Sequence, residues 1–483
     1  GLAFLDEGAL ADNVSKVIDL AAVGVQCPFG SFAPHGGWHE GPMYWQYVAE
    51  YAQALTESLR GVYGNDRGLS DLPGFNETAL FRIHMNGPSK LPFDFGDSHV
   101  DGRVLTDSPG AHILGYAAVP SVSEPARAVY GYVAREFVRL IAYNASTGQY
   151  NCSLVNCPRM LLDYTSVGTH ADLAAQPTAK LFKMSAFGWA GRNAVGFFRS
   201  AWSSEAAGTD GTEAWLGFKA ANGVPNHNDL DGGTFVFEVG GQRWASDLGA
   251  DNYQLPDYFT QSLDHRYSFY RKSTAGHNTL TFNNNAEGWS ACTSACDQDN
   301  EMSGITEITL FEHAATGTAA APPSSSPAYT IVDLTAAYAK QGATSVQRGF
   351  AFTADYEMLV VVDEIEFAAG APVHNVTWAM HTLATIATHG SAAVLSFGET
   401  HLNVNVAASG PAVSATTAVH FRSAEVKLQA PQYPSDGFSK LMAHVPFTAR
   451  RSEPVAATIV VGLSTNADAK VPRTNRLAAW TAS

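Results

Sequence analysis

The sequence predicts an α+β protein in two parts, a helical N-terminal region over residues 1–180 and a large antiparallel β-sandwich over residues 181–483. Two observations predict it. Up to about residue 175, apolar side chains recur at steps of three and four, as amphipathic helices require. From Phe182 onward, short alternating or β-branched runs follow one another with no helical pattern between them. Strands without intervening helices pair antiparallel, and 483 residues exceed what one core usually serves.

The clearest helix runs from Pro42 to Val62, with Tyr44, Tyr47, Val48, Tyr51, Leu55 and Leu59 as its apolar stripe and Pro42 suited to the first turn. A second spans Pro125 to Ala142, capped by Ser123. Weaker patterns cover Gly8 to Val23, Glu77 to His84 and Ala111 to Ala118. The expected strands are Gly233–Val239, Ile305–Phe311, Thr330–Leu334, Glu357–Ile365, Val373–Met380, Ala393–Phe397, Leu402–Val406, Ala418–Phe421 and Ala457–Leu463. The Ala, Thr, Ser and Pro-rich piece from Ala314 to Pro327 reads as a solvated loop.

With 45 acidic residues against 29 basic, the formal net charge of -16 argues against nucleic acid as a partner, because phosphate binding needs a positive field. An anionic substrate would have to meet local positive charge. No run approaches the roughly 18 apolar residues of a membrane span, and no signal peptide opens the chain. Sequons at Asn13, Asn76, Asn144, Asn151 and Asn375 point to a secreted glycoprotein, as does the spacing of Cys152 with Cys157 and Cys292 with Cys296, which leaves Cys27 unpaired.

Chemistry concentrates between Asn226 and Leu280. If His227-Asn228-Asp229-Leu230-Asp231 starts a strand, residues 227, 229 and 231 share a face; the alternative is an Asn/Asp-rich turn. Asp229, Asp247 and His277 make a plausible oxygen- and nitrogen-rich divalent site, with His227 left as base or acid. His381 reads as a hydrogen-bonded sheet histidine. A second cluster, Gly36-Gly37-Trp38-His39-Glu40-Gly41-Pro42-Met43-Tyr44-Trp45, places Tyr44 near a helix N-terminus, where the dipole favours phenolate. Tyr44 can equally belong to the apolar stripe, and Glu40 can orient it or cap its helix.

Taken together, Gly-Gly-Trp-X-Glu-Gly-Pro-X-Tyr-Trp at 36–45, His-X-Asp-X-Asp-X-Gly-X-Phe at 227–235, Asp-Leu-Gly at 247–249 and Gly-His-Asn-Thr at 276–279 resemble the heparinase II/III-like polysaccharide lyases, whose architecture alginate lyases and dermatan sulfate epimerase share. The resemblance implies an incomplete (α/α) toroid followed by antiparallel sheets, with the catalytic cleft between them. It implies removal of the C5 proton of a uronic acid and β-elimination of the 4-O-linked sugar, with an acidic polysaccharide or oligosaccharide as substrate. Tyr44 matches the family's catalytic tyrosine and His227 its partner histidine. Asp229, Asp247 and His277 match a structural divalent metal site, for zinc or else calcium or manganese, and no organic cofactor is implied.

Two departures stand out. The family often carries His-X-His where this chain has His227-X-Asp229, and its carboxylate-neutralising Asn or His sits well upstream of the tyrosine motif. This chain begins 43 residues before Tyr44, so it is expected to be truncated at its N-terminus. Arg199, Arg266 and Arg271 then become candidates for clamping the substrate carboxylate, with Glu40 as a further substrate contact. The competing readings are a uronate C5-epimerase, which shares the proton abstraction, and an inactive carbohydrate-binding protein.

Overall fold

The computed structural model describes residues 10–89, 91–98, 186–189, 194–200, 213–220, 227–259, 263–284, 290, 297–299, 306–312, 328–353, 356–413, 419–447, 454–471 and 476–480. The chain divides into two compact units, residues 1–85 with 101–181 and residues 86–100 with 182–483. The expected helices at Ala111–Ala118 and Pro125–Ala142, the loop at 314–327 and both cysteine pairs lie outside the described residues. Cys27 is a free, exposed thiol.

In the first unit the helices are α1 (Ala11–Gly24), α2 (Gln26–Phe29), α3 (Pro42–Tyr63) and α4 (Thr78–His84). Helix α3 has Gly41 at its N-cap, Pro42 in the first turn and Gly64 in the left-handed conformation (φ 74°) at its end, so Pro opens it and Gly closes it. Its buried face differs from the expected stripe. Trp45, Ala49, Ala52, Gln53, Thr56 and Leu59 are buried, whereas Tyr47 and Tyr51 are 55% and 70% exposed. The stripe is rotated because Trp45 anchors the helix: its indole donates to Thr78 Oγ1 (2.7 Å), which donates in turn to Gly36 O (2.6 Å).

The second unit holds seventeen described strands in three sheets, with every pairing antiparallel. A five-stranded meander comprises β1 (Ala186–Trp189), β2 (Val195–Arg199), β3 (Trp215–Lys219), β4 (Phe235–Val239) and β5 (Gln242–Ala245). An eight-stranded sheet is centred on β9 (Ala343–Phe352), β10 (Met358–Phe367) and β17 (Val455–Ser464). A four-stranded sheet sets β6 (Leu280–Phe282) and β11 (Asn375–Thr382) beside β16 (Ser439–Pro446) and β15 (His420–Glu425).

All three sheets feed one apolar core, which runs from Phe198, Phe218 and Phe235 through Phe350 and Val361 to Trp378 and Leu441. Asn375 is only 5% exposed within β11, so this sequon is a poor acceptor of a glycan, whereas Asn13 is exposed on α1.

One buried pair ties the sheets to the loops that follow. Arg348 on β9 faces its register partner Asp363 on β10, and Nε and Nη2 donate to the two carboxylate oxygens at 2.7 and 3.0 Å. Nη1 reaches Gly233 O (2.7 Å) and Asn278 O (3.0 Å), one in each of the two motif loops. Asn278 continues the weld, donating to Phe235 O and Ser246 O while its Oδ1 accepts from the His381 main-chain N–H at 2.6 Å.

Candidate functional site

The first unit carries Tyr44 and Glu40. Tyr44 lies in the first turn of α3, half-buried, with its ring stacked 6.1 Å from that of Tyr47. Since Tyr47 is exposed, Tyr44 is not part of a buried apolar face. Glu40 does not cap the helix, which has no side-chain cap; its Oε2 accepts the Trp38 indole N–H at 3.1 Å.

The other expected site residues belong to the second unit. The segment 227–234 is a series of turns and not a strand, which begins only at Phe235. His227 has a left-handed backbone (φ 73°), so the alternation expected of residues 227, 229 and 231 gives way to three separate anchors. His227 Nδ1 lies 2.7 Å from Asp97 Oδ2, Asp229 Oδ1 lies 2.6 Å from Lys272 Nζ, and Asp231 Oδ1 accepts from Lys219 Nζ at 2.6 Å. Each of these carboxylates is buried, so each depends on its cation.

Asp97 is the hub. Burial alone would raise its carboxyl pKa, but the Lys272 ammonium, with hydrogen bonds from His227, Lys272 and Tyr258, carries it well below the ordinary range. An ionised Asp97 can only accept, so Nδ1 of His227 bears the proton and Nε2 is the basic nitrogen. The His227 side chain is 14% exposed, with the rings of Phe259 and Tyr253 at 5.7 and 6.3 Å, and Phe259 itself is 42% exposed. His227 therefore stands on a rim that solvent reaches.

The motif loops are close-packed for identifiable reasons. Gly249 (φ 66°) takes the left-handed turn that lets its N–H reach Asp247 Oδ1 at 2.8 Å, and a Cβ there would lie 2.4 Å from Ser98 O. The Asp-Leu-Gly motif thus seats the 94–98 loop, which delivers Asp97.

The three arginines expected to clamp a substrate carboxylate are otherwise engaged. Arg199 donates to Asn86 O; Arg266 donates to Tyr258 O (3.2 Å) and Asn228 O (3.0 Å); Arg271 donates to Leu248 O, Ala250 O (3.2 Å) and Pro434 O (2.8 Å). All three are buried, and their guanidinium forks hold main-chain carbonyls of loops that have no sheet partners. His381 is the hydrogen-bonded sheet histidine expected, with Nε2 2.8 Å from Tyr270 Oη and Nδ1 3.0 Å from Asn278 Oδ1.

Asp229, Asp247 and His277 meet, but not as a common ligand set. Asp247 Oδ2 is 3.1 Å from His277 Nδ1, and Asp229 Oδ2 is 4.0 Å from Nε2. The two carboxylates flank opposite nitrogens of one imidazole, so they do not converge on a point at ligand distance from either. Among the described residues no group of three His, Cys, Asp or Glu side chains is disposed to hold an ion. Burial opposes charge on His277, but Asp247, Asp229 and Asp231 overcome it and raise its pKa to about 9. His277 Nδ1 is paired with Asp247, while Nε2 and the Asp229 carboxylate oxygens, 4.0 Å apart at the nearest, are buried without a hydrogen-bond partner.

Asp94 adds a pH-dependent element. Burial and then the charge of Asp247 raise its carboxyl from 3.8 to about 8; Arg243, 3.6 Å away, opposes the rise without cancelling it, and neither Asp94 oxygen has a side-chain hydrogen-bond donor. A raised acid leaves the unfolded chain ionised while the folded one stays protonated, so its contribution to stability is complete below about pH 4 and is lost as pH rises toward 8. Asp94→Asn abolishes that loss. Urea denaturation should find the variant gaining about 2–5 kcal/mol more over wild type at pH 8 than at pH 5; an equal difference at both pH values would refute the assignment.

The heparinase II/III-like, C-terminal profile matches residues 203–462, more than half of the chain. The chain belongs to the heparinase II/III-like family. No curated protein matches it. Among solved structures, this heparinase II/III-like chain is similar to heparan sulfate lyase HepC from Pedobacter heparinus (13% identity, TM-score 0.61, 97% of this chain and 58% of that one). It is also similar to the heparinase III-BT4657 gene product (14% identity, TM-score 0.57, 96% and 58%) and to a heparinase III (12%, 0.58, 95% and 59%). It therefore spans about three fifths of the length of these structures and shares their fold, N-terminal helices followed by large antiparallel β-sheets.

Sequence reasoning missed Asp97, Lys272 and Lys219, which hold the motif residues of this family member in place. The one signal within reach was Phe93-Asp94-Phe95-Gly96-Asp97, two acids set among aromatics and glycine, a pattern that buries carboxylates and so demands partners.

Proposed function

We propose that the protein is a polysaccharide lyase that cleaves uronic-acid-containing glycans by removing the C5 proton and eliminating the 4-O-linked sugar, on an (α/α) toroid joined to a β-sandwich. The observation that carries this reading is His227, a histidine on an accessible rim with Nδ1 fixed by an ionised Asp97, in a chain of this family. A C5 proton is weakly acidic, so its removal needs a base of near-neutral basicity held rigidly. With Nδ1 donating to Asp97, His227 presents Nε2 for that task, and Asp97 stabilises the imidazolium that forms. Tyr44 is assigned the second acid–base role from its motif. Heparan sulfate is the first substrate to test, because the similar solved structures include a heparan sulfate lyase.

Incubation with heparan sulfate and a panel of other uronate glycans in deuterated water tests this reading. An unsaturated, ultraviolet-absorbing product is expected. Deuterium at C5 without cleavage would replace the lyase with a C5-epimerase, and binding without either would leave a carbohydrate-binding protein.

A further inference from the structure

We infer that the Lys272 ammonium is a structural cation of this site and ties the loops of Asp97 and Asp229 together without a divalent metal. Lys272 closes the short turn Tyr270–Lys272, its side chain is fully buried, and Nζ binds Asp97 and Asp229 together, the latter at 2.6 Å. Asp97 lies 175 residues before Lys272 in the chain, so a single ammonium joins loops that nothing in the sheet topology brings together. Lys272 also fastens the 227–234 loop through its main chain, because Leu230 N–H donates to its carbonyl at 3.1 Å. The Tyr258 ring, 5.1 Å from Nζ, covers it.

Charge and geometry both favour this assignment. A divalent ion at ordinary ligand distance from Asp229 would approach the ammonium already bound to that carboxylate, and two cations in a buried site repel strongly. A second buried ammonium, Lys219 Nζ, neutralises Asp231 at 2.6 Å. Lys272 and Lys219 thus each offset one carboxylate, Asp229 and Asp231, while the expected ligands Asp229 and Asp247 lie on opposite edges of the His277 ring. Since the cation is covalently part of the chain, the fold and the orientation of His227 through Asp97 are independent of metal supply.

The test is independent of catalysis. Purified protein is assayed for bound metal by mass spectrometry, and its thermal unfolding is compared with and without a strong chelator and with added Zn²⁺, Ca²⁺ or Mn²⁺. No equivalent of metal dependent on Asp229 and no shift in Tm with chelator are expected, whereas Lys272→Met should lower Tm by about 5–15 °C, because it leaves two carboxylates without their shared cation. If Lys272→Met does not fold, the chelator comparison on the wild type still decides. One equivalent of divalent ion that is lost in Asp229→Asn and whose removal lowers the wild-type Tm would overturn the inference, as would an unchanged Tm in Lys272→Met.

Discussion

An Arg348→Ala variant is expected to unfold about 3–5 kcal/mol more easily than the wild type, the range for stripping one partner from a buried ion pair. Arg348 and Asp363 are both fully buried on adjacent central strands of the eight-stranded sheet. With Arg348 gone, the Asp363 carboxylate has no counter-charge. Burial already pushes that carboxyl up, so the variant meets the cost either by burying a charge or by taking up a proton.

The same guanidinium holds Gly233 O and Asn278 O, so the loops that carry His227 and His277 lose two charge-assisted bonds as well. A double variant, Arg348→Met with Asp363→Leu, separates the two contributions. It restores apolar packing without an orphaned charge, and it should recover more than half of the loss while the loop bonds stay absent. Urea denaturation followed by tryptophan fluorescence measures both. A single-variant loss under about 1 kcal/mol would mean that the pair does not hold the sheets to the loops.

The part of this arrangement that could be read from the chain is the part that local periodicity encodes. Helix α3 was legible because Pro42 and Gly64 punctuate it, and β10, β11 and β17 because runs of β-branched residues mark them. Strands β2 and β3 escaped notice. All five residues of each are buried, so neither alternates, and Gly196 and Gly217 look like breaks where they are gaps filled by the rings of Phe218 and Phe93. The buried face of α3 was misread because Tyr47 and Tyr51 fit helical spacing yet face solvent, while Gln53 and Thr56 are inside. His227, Asp229, Asp247 and His277 stood out as a dense cluster. Their partners did not, because Asp97 is 130 residues from His227 and an ion pair across such a distance leaves no trace in spacing.

His227→Ala is expected to lower kcat on a cleaved uronate glycan by about 10²–10⁴-fold, the usual contribution of a positioned acid or base, with little change in KM. The fold should tolerate the change. His227 is on the rim, and its left-handed backbone costs Ala only modestly more than His. Asp97 keeps Lys272 and Tyr258 as partners, so the hub is not left with an unpaired charge.

Two readouts distinguish proton transfer from support of the loop. Added imidazole should restore part of the rate in His227→Ala, since it can enter the vacated place as an untethered base. Thermal unfolding should show a far smaller change than Arg348→Ala. If the variant stays within tenfold of wild type, or loses activity and Tm together without rescue, His227 holds the loop, and the proton must pass through another group.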